Sequence, residues 1–462
     1  MNTNIHDTRT VAAWLTGLTL AFVASIGAQP ALSQVTTAAA TEPAAHPTWA
    51  EDVLPIFQES CQECHRPNSI APMSLMTYED ARRFSSRIRQ RVENRIMPPW
   101  HINPHVGIQD FENDRGLTDE QRQTIVQWVN DGAPEGDMSK APAPREFPEA
   151  LVWRLADELG PPDMTIKSEP YDLPAVTQDK WFRPVTPTGL TEPKWVKAIE
   201  IRPVDAASRT VVHHTLAYLL QDEQEITGLP EEAKGEVTNA GLFMEWAVGK
   251  AGQVFRPDAG KLMLPGSNIG WEVHLHASGE EVPAAQVEMG IWFHDTPPEH
   301  RTILTMFDAR GPNSLDIPPG EIAVTQQSHV LQAPARLENF QPHMHMRGKA
   351  MSMEAIYPDG RREMLAFVDN FQWNWQINYI WDEDAAPLLP KGTNVVITAW
   401  HDNREENPSN PDFRQWVGWG DRTVDEMAHD WTDVTYLSQA DYDRLVAERE
   451  QRLAGQEQQQ QE

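Results

Sequence analysis

Residues able to do redox or metal chemistry fall in a few short stretches of this chain. Residues 61–65 read CQECH, and Cys61 and Cys64 are the only cysteines among 462 residues. In C-x-x-C-H the two thiols form thioether links to haem vinyl groups and the histidine becomes an axial iron ligand. A redox dithiol is the other reading of C-x-x-C; the adjacent His65 argues for haem. Most of the 16 histidines lie farther along, several in pairs: His213 and His214 in VVHHTLAYLL, His274 and His276 in WEVHLHASG, His343 and His345 in PHMHMRGK. AWHDN adds His401, and DEMAHDW adds Met427 and His429.

Geometry sorts these pairs. On a strand, H-x-H histidines project to one face and can converge on one ion, whereas on a helix they diverge by about 200°. His343 with His345, and His274 with His276, meet that condition. His213 and His214 are adjacent and share a metal only at a bulge or a strand end, or through different ring nitrogens. Imidazole suits zinc, copper, iron and nickel, and a thioether shifts the preference to copper. With both cysteines in one motif, no thiolate is left for a blue-copper centre. No H-E-x-x-H or facial-carboxylate pattern stands out. The lone histidines His294, His300 and His329 read as surface or satisfied core residues. Met344 and Met346 alternate with the paired histidines and read as packing.

These residues need two kinds of scaffold. Around CQECH the pattern is helical. Thr77 caps a segment in which Ala81, Phe84, Ile88 and Val92 share a face. Thr118 and Gln121 form a capping-box pattern ahead of Ile125, Trp128 and Val129, with Gly132 as the stop. Residues 139–160 are rich in proline and acidic residues and read as a linker with one short helix at most. Beyond it, short apolar runs alternate with Pro, Gly, Asn and Asp clusters, the texture of all-β sandwiches. Residues 373–381 read as a strand with Trp373, Trp375, Ile377, Tyr379 and Trp381 on a core face. Residues 441–462 form a polar, glutamine-rich tail, a frayed helix or disordered.

A net charge of -30 repels phosphate backbones and argues against a nucleic-acid partner. Polar MNTNIHDTRT followed by VAAWLTGLTLAFVASIGA has the form of a secretory signal over residues 1–34, with cleavage near Ser33–Gln34. The competing reading is an uncleaved membrane anchor. Either way the chain is exported, and a periplasmic location is expected.

The helical region, residues 46–138, resembles a class I c-type cytochrome. The resemblance implies a covalently bound haem held by Cys61, Cys64 and His65, with a methionine as sixth ligand. Met97, in IMPPW, stands where that ligand falls; Met73 is the runner-up, and His101 and His105 stay open. The order HH, V-H, H-x-H and D-E-M, ending in WGDRTVDEM, resembles the copper type II ascorbate-dependent monooxygenases, the family of the peptidylglycine α-hydroxylating and dopamine β-monooxygenases. This likeness spans roughly residues 161–440. It implies a multidomain chain: a small all-α cytochrome c domain, then two all-β jelly-roll-like sandwiches at 161–312 and 313–440, each with one copper ion, facing across a solvent-filled cleft.

Carried over by position, the resemblance gives His213, His214 and His274 to the electron-transfer copper. It gives His343, His345 and Met427 to the dioxygen-activating copper as the catalytic set. His276 is then a neighbour, and His401 supports the site or the fold. The chain departs from the family where a peptide carboxylate would be anchored: Gln341 replaces an arginine, and His429 and Trp431 replace Asn and Tyr. The family's animal members carry disulfides, which this chain lacks the cysteines to form. The expected activity is hydroxylation of a C–H bond of a small, non-peptide substrate by dioxygen, with an outside electron donor feeding the haem. Two alternatives remain: a dehydrogenase passing substrate electrons to the haem, and a non-catalytic electron-transfer or copper-binding protein.

Overall fold

The computed structural model describes residues 46–461, apart from 68, 70, 148–150, 179, 239, 248–251 and 311–314. The signal or anchor segment lies outside the described residues. No helix among the described residues is long and apolar enough to cross a membrane. The chain is mostly β-sheet with few helices.

The helices form where their caps and apolar spacing place them. Tyr78–Glu93 starts at Thr77, whose hydroxyl accepts from the Asp80 N–H. Asp119–Asn130 starts at Thr118 with both capping-box bonds made. Their inward faces meet Trp49 and Phe57 in one core that includes Ile88, Val92, Ile125 and Trp128. This layer is no free-standing all-α domain, however. Between these two helices the chain runs against the far β-sandwich, bridging Ile102 to Val368 and Phe111 to Trp381. Ile102 and Phe111 belong to that sandwich's core. Arg95 pairs with Asp369 at 3.1 Å, and the Trp100 ring meets Tyr379 at 4.7 Å. Residues 95–111 therefore share packing with that sandwich.

The linker is also fixed. Among its described residues it holds one α-helix, the four-residue Ala156–Leu159. Trp153 lies against Gly290, where a Cβ would come within 3.1 Å of the ring. The Arg154 and Leu155 amides donate to the buried Glu200 carboxylate, each at 3.0 Å.

The β region builds two cores, packed against successive halves of one continuous sheet. That sheet runs Met164–Lys167, Val287–Phe293, Lys194–Pro203, Ala259–Met263, His300–Asp308, His429–Tyr436, Ala335–Leu337 and Leu388–Leu389. A second sheet closes the first sandwich with Lys180–Phe182, Asn268–Leu275, Val212–Leu220 and Ala240–Ala247. Another closes the second with Ile322–Val330, Asn394–Asp402, Gly348–Ile356 and Arg362–Val368. The division expected at residues 312/313 is displaced. His300–Asp308 pairs along its length with His429–Tyr436 of the second sandwich, while two of its residues pair in parallel with Ala259 and Gly260 of the first.

Two other expectations change. Residues 373–378 are not a strand; only Tyr379–Ile380 of that segment is. Tyr379 and Trp381 are core, but the stretch before them is an irregular loop closed by a Trp375 N–H to Gln372 carbonyl turn. The tail is an ordered helix, Gln439–Gln461; Arg449 donates to the Ala386 carbonyl at 2.7 Å and Arg452 pairs with Asp384.

Buried charges tie the sandwiches together. Glu338 accepts from Arg256 of the first sandwich at 2.7 Å, and from Arg336 at 2.8 Å and Thr435 at 2.6 Å within the second. Removing one member of such a group leaves the others desolvated and unpaired. Glu338→Ala is therefore expected to cost about 3–5 kcal/mol, read as a lower urea-unfolding midpoint. A loss under about 1 kcal/mol would mean the junction rests on strand pairing and apolar packing alone.

Candidate metal centres

The bulge that the adjacent histidines require is present. Val212–Leu220 pairs antiparallel with Asn268–Leu275, His214 opposite His274, and the register then slips so that Leu275 faces Val212. His213 is the extra residue in that slip, and its ring joins its neighbour's instead of pointing to the opposite face. The Nδ1 atoms of His213 and His214 lie 3.1 Å apart, and those of His214 and His274 lie 3.3 Å apart. Two nitrogens each about 2.0–2.1 Å from one ion stand roughly 3.0–3.5 Å apart at near-tetrahedral angles. A neutral imidazole carries one N–H, so protons alone cannot satisfy three nitrogens that face each other; one cation can.

Trp181, on Lys180–Phe182 beside His274 in the sheet, stacks on His274 at 4.4 Å and 7° and meets His214 edge-on at 4.9 Å. It fixes the ring planes, and nothing in its own sequence context marks it. His276 lies past the strand end, exposed and outside the cluster.

The second group is held by D-E-M, each of whose residues has a separate task. The Asp425 carbonyl accepts from His345 Nδ1 at 3.1 Å. A carbonyl only accepts, so His345 carries its proton on Nδ1 and presents Nε2 as a lone pair. The buried Glu426 carboxylate accepts the backbone N–H groups of His345 at 2.9 Å and Arg347 at 2.6 Å. The Met427 carbonyl accepts from His401 Nε2 at 3.0 Å. His401 thus anchors the methionine's backbone. His343 pairs across the sheet with His429, and their rings stack at 4.8 Å and 11°.

The strand reading of H-x-H holds only for its first half: Pro342–His343 is strand, and the chain then turns, with the Gly348 N–H on the His345 carbonyl at 3.0 Å. Freed from alternation, Met346 lines the cavity, while Met344 is core as expected.

Both groups line one cavity of ≈ 600 Å³, His213, His214 and His274 from the first sandwich and His343, His345 and Met427 from the second. Trp181, Trp373, Trp419 and Trp431 contribute to its walls. Burial pushes the basicity of His214 and His343 well down; His345 adds to the first effect and His214 to the second, so the groups lie within electrostatic reach. Burial likewise brings His429 to about 3. Neutral rings at neutral pH are the form that binds metal.

Gln341 is occupied in structure. Its amide donates to Glu245 of the first sandwich, and its own N–H donates to Asp430 at 2.7 Å. Arg310 reaches the cavity, but Asp308 holds its guanidinium through Nε at 2.7 Å.

At the helical end, Cys61 closes the helix Leu54–Ser60, and both thiols are free in the turn that follows. His65 Nδ1 donates to the Met73 carbonyl at 3.2 Å, leaving Nε2 as the lone-pair nitrogen. That bond puts Met73 beside His65 rather than across from its Nε2. His101 is buried against the second sandwich, its N–H on the Tyr379 hydroxyl at 3.2 Å, and exposed His105 faces Asp119 at 3.7 Å. Met97 is half-buried just beyond the helix Tyr78–Glu93.

No protein-family model and no curated protein matches the sequence. Solved structures with some likeness include the major capsid protein P2 of bacteriophage PM2, at 12% identity and TM-score 0.26, covering 60% of this chain and 99% of that one. VP2 of infectious bursal disease virus is 10% identical, with TM-score 0.18, covering 61% and 73%. Likenesses this low carry no argument.

Glu426→Ala removes the acceptor for two buried amides, each worth about 1–3 kcal/mol. Amide hydrogen exchange at His345 and Arg347 is expected to accelerate at least tenfold while exchange at His214 stays unchanged. Equal protection in the variant would mean the carboxylate does not hold the turn.

Proposed function

We propose that this chain is an exported monooxygenase that hydroxylates a C–H bond of a small, apolar, non-peptide substrate, using two copper ions and one c-type haem. The observation that carries the reading is one cavity flanked by two nitrogen-rich groups, one of which adds a thioether. His213, His214 and His274 would hold one copper, and His343, His345 and Met427 the other. Cys61, Cys64, His65 and Met97 would hold the haem. Copper would supply one-electron reduction of dioxygen, and the haem would relay electrons from an outside donor.

The remaining roles belong to the chain itself. Met427 is the soft ligand that favours the cuprous state. Asp425 and Glu426 hold His345 in one tautomer and position. Trp373, Trp419 and Trp431 give the substrate an apolar wall. With Gln341 tied to Glu245 and Asp430, and Arg310 tied to Asp308, no unpaired cation faces the cavity from the positions that would fix a carboxylate. A neutral, apolar substrate follows from that pairing. The packed helical layer supports electron entry from within the chain, since Arg95, Ile102 and Phe111 bind it to the sandwich that carries His343.

The test is a count. The intact protein is expected to hold two coppers per haem and His343→Ala one, with dioxygen uptake abolished in the variant. An unchanged copper count sinks the assignment. Haem reduction by substrate without dioxygen would instead mark a dehydrogenase. Copper binding without dioxygen use by any substrate would mark a carrier.

Trp431→Ala is expected to raise KM for an apolar substrate by roughly tenfold or more, the removed ring being worth about 1.5–3 kcal/mol of burial. An unchanged KM would place substrate away from that wall.

A further inference from the structure

Another cluster with ligand chemistry lies outside the cavity, at the junction of the two sandwiches. Glu299, His300 and Asp441 each bring a ligand atom within 4.8 Å of the others. His300 opens the strand His300–Asp308, and its N–H donates to the Asp258 carbonyl at 2.8 Å. The residue is 4% exposed, and its Nε2 is buried without a hydrogen-bond partner. Glu299 Oε1 and Asp258 Oδ2 each stand 4.0 Å from that nitrogen, beyond hydrogen-bond reach. It is not the satisfied core histidine that its isolation in the sequence suggests. His294 and His329 are satisfied, each bonding a backbone carbonyl.

The neighbouring charges narrow the possibilities. Asp258 is committed to Arg336, which grips both its oxygens at 2.8 and 3.0 Å. Glu299 and Asp441 share a different cation, Arg444: its guanidinium touches Glu299 and lies 3.3 Å from Asp441. Arg444 is 38% exposed along its side chain and already has Glu448 one turn on at 3.5 Å. It can leave the cluster without losing every partner.

We propose that Glu299, His300 and Asp441 form a divalent-cation site of the zinc type, with Arg444 as the resident competitor. One imidazole and two carboxylates are a ligand set that such ions accept. Bound there, the ion joins the first turn of Gln439–Gln461 to the strand on which the two sandwiches meet. It also satisfies His300 Nε2, and Arg444 turns to Glu448.

Zinc binding to the full-length chain tests this, read by equilibrium dialysis with metal analysis and by the zinc-dependent rise in melting temperature. Wild type is expected to bind one more zinc per chain than His300→Ala. Asp441→Asn, at the exposed start of a helix, should show the same deficit with folding intact. Arg444→Gln removes the competing charge and should bind roughly tenfold tighter than wild type. Equal zinc content in wild type, His300→Ala and Asp441→Asn overturns the proposal, as does Arg444→Gln binding no more tightly than wild type. The cavity histidines are unaltered in all of these proteins, so failure here leaves the copper assignment standing.

Discussion

Two parallel register pairs, His300 with Ala259 and Arg301 with Gly260, hold the arrangement together. Through them the sheet of one sandwich continues into the sheet of the other, and the two histidine groups come to line a common cavity. Parallel pairing this short is weak by itself. Buried charge reinforces it: Lys261 with Asp433 at 2.8 Å, Arg256 with Glu338, and Arg301 with Glu223 on the adjoining loop. Desolvated pairs contribute little net stability, but they penalise any arrangement that separates them. The junction therefore sets geometry more than it adds energy. The helical layer is bound by the same logic, its extended segment completing the core of the second sandwich.

Within each histidine group the strands are under local control. A register slip turns His213 to the side of His214, and Trp181 stacks the rings into position. On the other side Glu426 replaces strand geometry, collecting two amides of a turn that no longer alternates. Different devices reach the same end, neutral imidazoles aimed at one space.

Much of the site was legible because its chemistry constrains spacing. C-x-x-C-H keeps the spacing that attachment to both haem vinyls and the iron would require. H-x-H and D-E-M single out their residues by type, and adjacency at His213 and His214 demanded a bulge. What could not be read depends on contacts between distant residues. Trp181 lies 93 positions from His274 in the sequence, the difference of the two numbers, yet stacks on it. Glu426 was one letter of a motif, and its carboxylate's two amide bonds exist only after folding. Residues 373–378 alternate like a strand and are a loop, in which Trp373 serves both the cavity and the core while Asn374 and Gln376 line the cavity. The boundary near residue 312 was misplaced because strand order, unlike sequence order, gives His300–Asp308 to both halves.

The most direct test is anomalous diffraction at the copper edge from crystals of the copper-loaded full-length protein. Two peaks are expected, one within bonding distance of His213, His214 and His274 Nδ1 and one at His343, His345 and Met427, both opening on the same cavity. A single peak, or copper bound elsewhere with both histidine groups empty, would contradict the account.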